Sequence, residues 1–230
     1  EAINIGRQAS IPVEISHFKV TYKPNWGRSV QTIAQVEKAR QEGIDVTVDQ
    51  YPYVAGSTSL NSVLPTWVFS GGNDSLVFRL KDVIIRKKIK NEMLETLKEK
   101  KLKSYSYAVV ARYGADTTLN GKTITEINVL KGRKPKASEE IETILEMVEK
   151  GSAQMVFFSM NENDLINIMR YPFNMFASDA GIVRFGSGVP HPRAYGTNAR
   201  VLGRYVRELK VIKLEEAIRR MSSLPAQKFQ

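Results

Sequence analysis

Residues 11–53 alternate between two short strand-like runs and one helical stripe, and this pattern constrains the chain more than any other feature. Ile11-Pro12-Val13-Glu14-Ile15-Ser16 is a β-branched run of the kind that becomes a buried strand. Val30, Ile33, Ala34, Val36 and Ala39 then recur at helical spacing until Gly43 supplies a stop. Residues 45–53 read as the next strand, ending at Pro52 and Tyr53 before the small-residue loop Ala55-Gly56-Ser57-Thr58. Two strands joined through a helix pair in parallel, because the connection must cross back over the sheet. The predicted class is therefore α/β. Parallel sheets place ligand-binding residues at the C-terminal ends of strands, where His17 and Tyr53 fall.

The rhythm lapses between residues 60 and 158. This stretch carries Leu64 to Phe69, a turn at Gly71-Gly72, basic helix-like segments, a turn at Asn120-Gly121 and short strands at 105–111 and 154–160. A helix is expected near 138–150, with Ser138 as N-cap and Glu139 and Glu140 in the first turn. About a hundred residues between regular units suggests an inserted subdomain. The pattern then resumes with a helix at 161–170, a strand at 173–177 ending in Ser178-Asp179, a glycine-punctuated loop to His191-Pro192-Arg193, and helices at 199–209 and 214–222. The expected division is 1–59, 60–158 and 159–230.

Composition narrows the function classes. The chain has 230 residues, two histidines and no cysteine, which excludes disulfides and thiolate metal sites and favours a cytoplasmic setting. No apolar run approaches the roughly 18 to 20 residues that cross a bilayer, and residues 1–7 lack the features of a signal peptide. The net charge of +10 raises a nucleic-acid reading. However, the basic stretch at 86–103 is mixed with Glu92, Glu95 and Glu99 at helical spacing, as on a solvated helix face, and no aromatic interleaving accompanies it. Neither a nucleic-acid nor a membrane partner is expected. The first residue is not Met and the last falls in what reads as a helix end, as in a piece of a longer protein.

Four residues stand where chemistry is done. His17, at a strand end, can ligate zinc as a neutral imidazole; the alternative is a hydrogen-bonded core or surface histidine. Lys19, two residues on, points to the same side and suits an anionic substrate group. Asp179 follows a parallel strand and can serve as metal ligand and general base, or simply as a turn or capping Asp. Arg193, in a loop stiffened by two prolines, suits bidentate capture of a carboxylate, or a structural salt bridge. Tyr51 and Tyr53 offer phenol hydroxyls but equally suit a core.

Taken in order, several segments resemble the N-acyl-D-amino-acid deacylase (D-aminoacylase) family of the amidohydrolase superfamily. They are Ile15-Ser16-His17-Phe18-Lys19, Asp49-Gln50-Tyr51-Pro52-Tyr53-Val54-Ala55-Gly56-Ser57-Thr58, Ser178-Asp179, His191-Pro192-Arg193-Ala194-Tyr195-Gly196-Thr197, Arg200-Val201-Leu202-Gly203-Arg204-Tyr205 and Leu214-Glu215-Glu216-Ala217 with the residues up to Ala226. The resemblance implies a partial TIM-type (β/α)8 metal-dependent hydrolase barrel, holding about the last three strands, with residues 60–158 as an inserted α+β lid. It implies His17 as a zinc ligand and Asp179 as a zinc ligand and proton carrier. Lys19 and Arg193 would hold the substrate carboxylate, Tyr53 would orient the amide carbonyl, and Ser59 would line the site. The substrate would be a small N-acyl-D-amino acid.

The family's remaining zinc ligands fall on strands that would precede Glu1, and Ala180 stands where the family usually has Gly. A fragment inactive and nearly metal-free by itself is thus expected, completed by the N-terminal half of the barrel or by another copy in a homo-oligomer. The competing expectation is a non-catalytic interaction module that associates through exposed strand edges.

Overall fold

A computed structural model describes residues 1–229. In chain order the elements are α1 (Ala2–Ala9), β1 (Val13–Ile15), α2 (Ser29–Gln41), β2 (Val46–Gln50), β3 (Ala55–Ser59), α3 (Gly72–Lys81), α4 (Val83–Glu99), β4 (Ala108–Arg112), α5 (Ile124–Leu130), α6 (Ala137–Glu149), β5 (Gln154–Phe158), α7 (Glu162–Arg170), β6 (Asn174–Phe176), α8 (Arg193–Arg200), α9 (Leu214–Met221) and α10 (Ser223–Lys228). A π-helical segment, Val201–Glu208, continues directly from α8. Among the described residues no helix is long and apolar enough to cross a membrane.

The chain forms two compact units. The first comprises residues 1–54, 160–182 and 192–230, and the second residues 55–159 and 183–191. In the first unit β1, β2 and β6 make a parallel sheet in the order β1-β2-β6. The register pairs Val13 with Val46 and Ile15 with Val48, then Val48 with Asn174 and Gln50 with Phe176. Side chains alternate across a strand, so Val13, Val46 and Val48 share one face. That face packs on Val36 and Ala39 of α2 and on Tyr171 after α7. A second apolar cluster joins Leu165 and Met169 of α7 to Phe176, Val201, Tyr205 and Ala217. The sheet has free edges at β1 and β6 among the described residues, so it is an open sheet and not a closed barrel.

The second unit is built differently. Its sheet is antiparallel, in the order β3-β5-β4, beside a cluster that includes Leu80, Ile89, Met93, Ile141, Ile144 and Met155. Two basic residues of α4 and two of the segment after α5 are paired with acids of α6: Arg86 with Glu142 and Glu149, Lys90 with Glu142, and Lys131 and Arg133 with Glu146.

Several sequence expectations need correction. Residues 55–58 are not a loop. They belong to β3, because each backbone from Ala55 to Ser59 finds an antiparallel partner between Phe158 and Gln154, and a long-range ladder overrides weak local propensity. Ser138 is not an N-cap: α6 begins at Ala137 with Lys136 in the capping position. Instead Thr123 and Glu126 form a full capping box at the start of α5. The helix expected from residue 199 begins at Arg193, so Arg193 is the first residue of α8 and not part of a loop. The compact units divide after Val54 rather than after residue 59, and residues 183–191 fall in the second unit.

On the other face of the parallel sheet Glu14, Thr47 and Asp49 stand together, with Glu14 opposite Thr47 in the register. Thr47 is buried and Glu14 half-buried. The Glu14 carboxyl is pushed up to about 7 by burial, then by the charge of Asp49 and a shared hydrogen bond with it, against the opposing pull of Lys228. A carboxyl raised in the folded state binds its proton more tightly there than in the unfolded chain. The stabilisation is therefore complete below the ordinary carboxyl range and is lost as pH rises through about 7. Glu14→Gln should flatten this loss, leaving the variant relatively more stable above pH 7, as read by denaturant unfolding across pH.

Gly6 gives a second test. An added Cβ there would come within 2.3 Å of Val13 Cγ2 and 3.2 Å of the Ile11 carbonyl oxygen, because α1 lies tight against β1. Gly6→Ala in a helix interior would ordinarily stabilise by roughly 0.5–1 kcal/mol. Here overpacking should reverse the sign and cost about 1–3 kcal/mol, measured as a lowered denaturation midpoint.

Candidate functional site

The C-terminal ends of the three parallel strands carry the chemistry-bearing residues of the first unit. Beyond β1 the chain turns through Ser16, His17 and Phe18, with His17 in the left-handed region at φ 45°. An L-residue adopts that conformation at a cost of about 1–2 kcal/mol, so something must hold it there. Asp49 on β2 does so. Its Oδ1 accepts the His17 N–H at 2.8 Å, its Oδ2 accepts the Ser16 hydroxyl at 2.9 Å, and its carbonyl accepts the Phe18 N–H at 2.7 Å. Lys19 then folds back to donate from Nζ to the His17 carbonyl at 2.6 Å.

β6 is followed by Ala177, whose N–H bonds the Gln50 carbonyl at 3.1 Å, and then by Asp179, again left-handed at φ 47°. Its Oδ2 pairs with Arg193 Nη1 at 2.8 Å. The Arg193 side chain is only 7% exposed, against 34% for Asp179, so the guanidinium is the fixed partner. Tyr51, just past β2, gathers both cations. The Arg193 guanidinium carbon lies 4.5 Å from its ring centroid and Lys19 Nζ 5.7 Å, within cation–π range.

These groups tune one another. The Lys19 ammonium is held below its ordinary range by burial, with nearby Arg193 adding to the effect and Asp179 and Asp49 opposing it. The Tyr51 phenol is pushed up to about 12, chiefly by burial; Arg193 pulls it down and Asp179 raises it. The site thus holds two cations, Lys19 and Arg193, near two carboxylates, Asp49 and Asp179.

The remaining expected residues are placed as follows. Tyr53 Oη donates to the Pro192 carbonyl at 3.4 Å, and Arg200 lies 4.9 Å from its ring centroid; burial raises the phenol while Arg200 opposes. Ser59 belongs to the second unit. Its Oγ accepts the Asn61 N–H at 3.1 Å at the start of a short 3-10 turn and lies 3.3 Å from Ser152 Oγ. His191, also in that unit, has Nε2 at 2.9 Å from the Ala55 carbonyl. A cavity of about 10 Å³, lined by residues including Phe18, Lys19, Gln50, Tyr51, Tyr53 and Asn161, lies at these strand ends. It has room for no more than about one water molecule.

Sequence reasoning gave no role to Asp49 or to the Tyr51 ring. One signal was present for Asp49: an acidic residue inside a strand whose five residues are all buried needs a specific partner.

A catalytic zinc site ordinarily takes three protein ligands and one open position. Among the described residues no three His, Asp or Glu side chains come together as a metal-holding group, and Asp179 is engaged by Arg193. The donors this chain brings together do not compose a zinc site by themselves.

No family model matches the chain. Over its whole length it is 31% identical to a D-aminoacylase, and 28% identical to an N-acyl-D-glutamate deacylase, both from Alcaligenes xylosoxydans xylosoxydans. The chain spans 37% of the length of each of these relatives. Among solved structures it aligns over 99% of its residues, at 29% identity and a TM-score of 0.68, with a D-aminoacylase studied for its binuclear metal center, covering 38% of that chain. It aligns with equal coverage, at 26% identity and a TM-score of 0.69, with the Bordetella bronchiseptica N-acyl-D-glutamate deacylase complexed with zinc and a phosphonate inhibitor that mimics the tetrahedral intermediate.

Proposed function

This chain is a homologue of the D-aminoacylases along its whole length and a partial one by their length, and from that premise we propose that it carries one portion of a zinc-dependent hydrolase of N-acyl-D-amino acids. The observation that supports this best is the gathering of Lys19, Tyr51, Asp179 and Arg193 at the ends of parallel strands. In this reading β1, β2 and β6 are three strands of a larger TIM-type barrel and residues 60–158 its lid. His17 and Asp179 are two of several zinc donors, the others lying outside the set this chain assembles. Lys19 and Arg193 hold the substrate carboxylate, and Tyr53 orients the amide carbonyl.

The reaction is amide hydrolysis. A water oxygen bonds to the carbonyl carbon, the C–N bond breaks, and the proton removed from water passes through Asp179 to the leaving amine, giving a carboxylate and a free D-amino acid. For Asp179 to act, Arg193 must first release it. A substrate carboxylate that binds Arg193 supplies the competing anion, so substrate binding and freeing of the base are one exchange of ion-pair partners.

The test uses the full-length gene product loaded with zinc. It should release free D-amino acid from N-acetyl-D-amino acids, and Asp179→Asn should lower kcat by about 10²-fold or more. Arg193→Lys should chiefly raise KM, because an ammonium cannot replace a bidentate guanidinium. Absence of hydrolysis by the zinc-loaded protein would overturn the reading.

A second reading rests on the free edges of β1 and β6, whose backbone groups are open to pairing. There the chain is an interaction module, completed by the rest of a barrel or by another copy. Light scattering that finds a monomer at all concentrations would count against self-association.

A further inference from the structure

We infer that Asp49 is the positioning residue of this site: it holds the Ser16–Phe18 turn in the one backbone conformation that presents His17 and anchors Lys19, without itself meeting substrate. The inference rests on the catalytic reading of the strand ends and deepens it.

His17 sits at φ 45°, where a residue other than Gly persists only if its surroundings over-determine it. One residue supplies several of the bonds that do so. Asp49 accepts three hydrogen bonds from three successive residues of the turn, two through its carboxylate and one through its carbonyl. The β1–β2 register explains why Asp49 can do this. The last pair is Ile15 with Val48, so the next residue on β2 lies beyond the end of β1, level with the turn.

The chemistry explains why a carboxylate is there. Its two oxygens take donors from two different residues at once, whereas an amide offers a single acceptor oxygen. The residue is also buried, where a carboxylate left without donors would be costly. The effect passes outward through the backbone. The His17 carbonyl, whose direction the turn sets, is the acceptor for Lys19 Nζ at 2.6 Å. One buried carboxylate thus governs both the imidazole and the ammonium. Its own oxygens are taken by Ser16 and His17, with Glu14 sharing a further hydrogen bond, whereas Asp179 pairs with Arg193.

The chain's two histidines make the test clean, because His191 lies in the other unit and serves as an internal control. In protein labelled with ¹⁵N at histidine, Asp49→Ala should displace the amide and ring resonances of His17 and leave those of His191 in place. Asp49→Asn, which keeps one acceptor for the His17 amide, should return that amide most of the way to its original position. If Asp49→Ala does not fold, Ser16→Ala in the presence of the native carboxylate should displace the same His17 signals to a smaller extent. Unmoved His17 signals in folded Asp49→Ala or in Ser16→Ala would overturn the inference. So would Asp49→Asn behaving like Asp49→Ala, since charge and not hydrogen bonding would then be at work.

In the zinc-loaded full-length protein Asp49→Ala should lower kcat/KM by about 10²-fold, the cost of a small misplacement, and Asp49→Asn should recover most of it. A displaced His17 in a protein that hydrolyses nothing would remove the proposed activity while leaving the hold of Asp49 on the turn established. Full activity in Asp49→Ala would remove the positioning role alone.

Discussion

The parallel pairing of β1, β2 and β6 is the interaction on which the first unit depends. It makes two unlike faces out of very few residues. The valines of one face bury against α2 and the end of α7, and this burial is the main favourable term for a sheet of three short strands. The other face carries Glu14, Thr47 and Asp49, so the pairing that builds the core also brings carboxyl groups together away from water. The same alignment sets the three C-terminal ends side by side, which is how His17, Tyr51 and Asp179, far apart in sequence, come to one edge of one sheet.

Charge at that edge is arranged as linked pairs. Arg193 is deeply buried and fixed by Tyr51 and Asp179, while Asp179 is the more exposed member. Lys19 is anchored to the turn and depressed by its burial. Burial makes such pairs strong and costly to leave half-made.

Much of this was legible in the sequence because the relevant signals are periodic or positional. The stripe from Val30 to Ala39 specified α2, the β-branched runs specified β1 and β2, residue type at strand ends drew attention to His17, Lys19 and Asp179, and the paired prolines drew it to Arg193. What escaped notice depends on long-range partners. β3 is made of Ala, Gly, Ser and Thr, residues that suit a loop equally well, and only its ladder with β5 makes it a strand. The capping box of α5 was present as Thr123 and Glu126 but was hidden in a segment with no clear period. Asp49 acts on two backbone N–H groups and the Ser16 hydroxyl, contacts that leave no spacing motif. The start of α8 at Arg193 was obscured by the two prolines before it, which read as a stiff loop but suit a helix entry equally well.

The π-helical winding of Val201–Glu208 carries a consequence for how this chain tolerates change in length. An α-helix advances 3.6 residues per turn, so removing one residue from a helix rotates everything beyond it by about 100°. A π segment holds more residues in each turn than an α-helix does, and loss of one residue would let it tighten to ordinary α geometry. That tightening absorbs the missing residue, so the chain after Glu208 would keep its direction. The seat of Lys228, which bonds the carboxylate and carbonyl of Asp45 at 2.9 Å each, would be kept with it. This segment can therefore give up one residue where an ordinary α-helix could not, because the extra residue per turn is slack in the winding and not part of its phase.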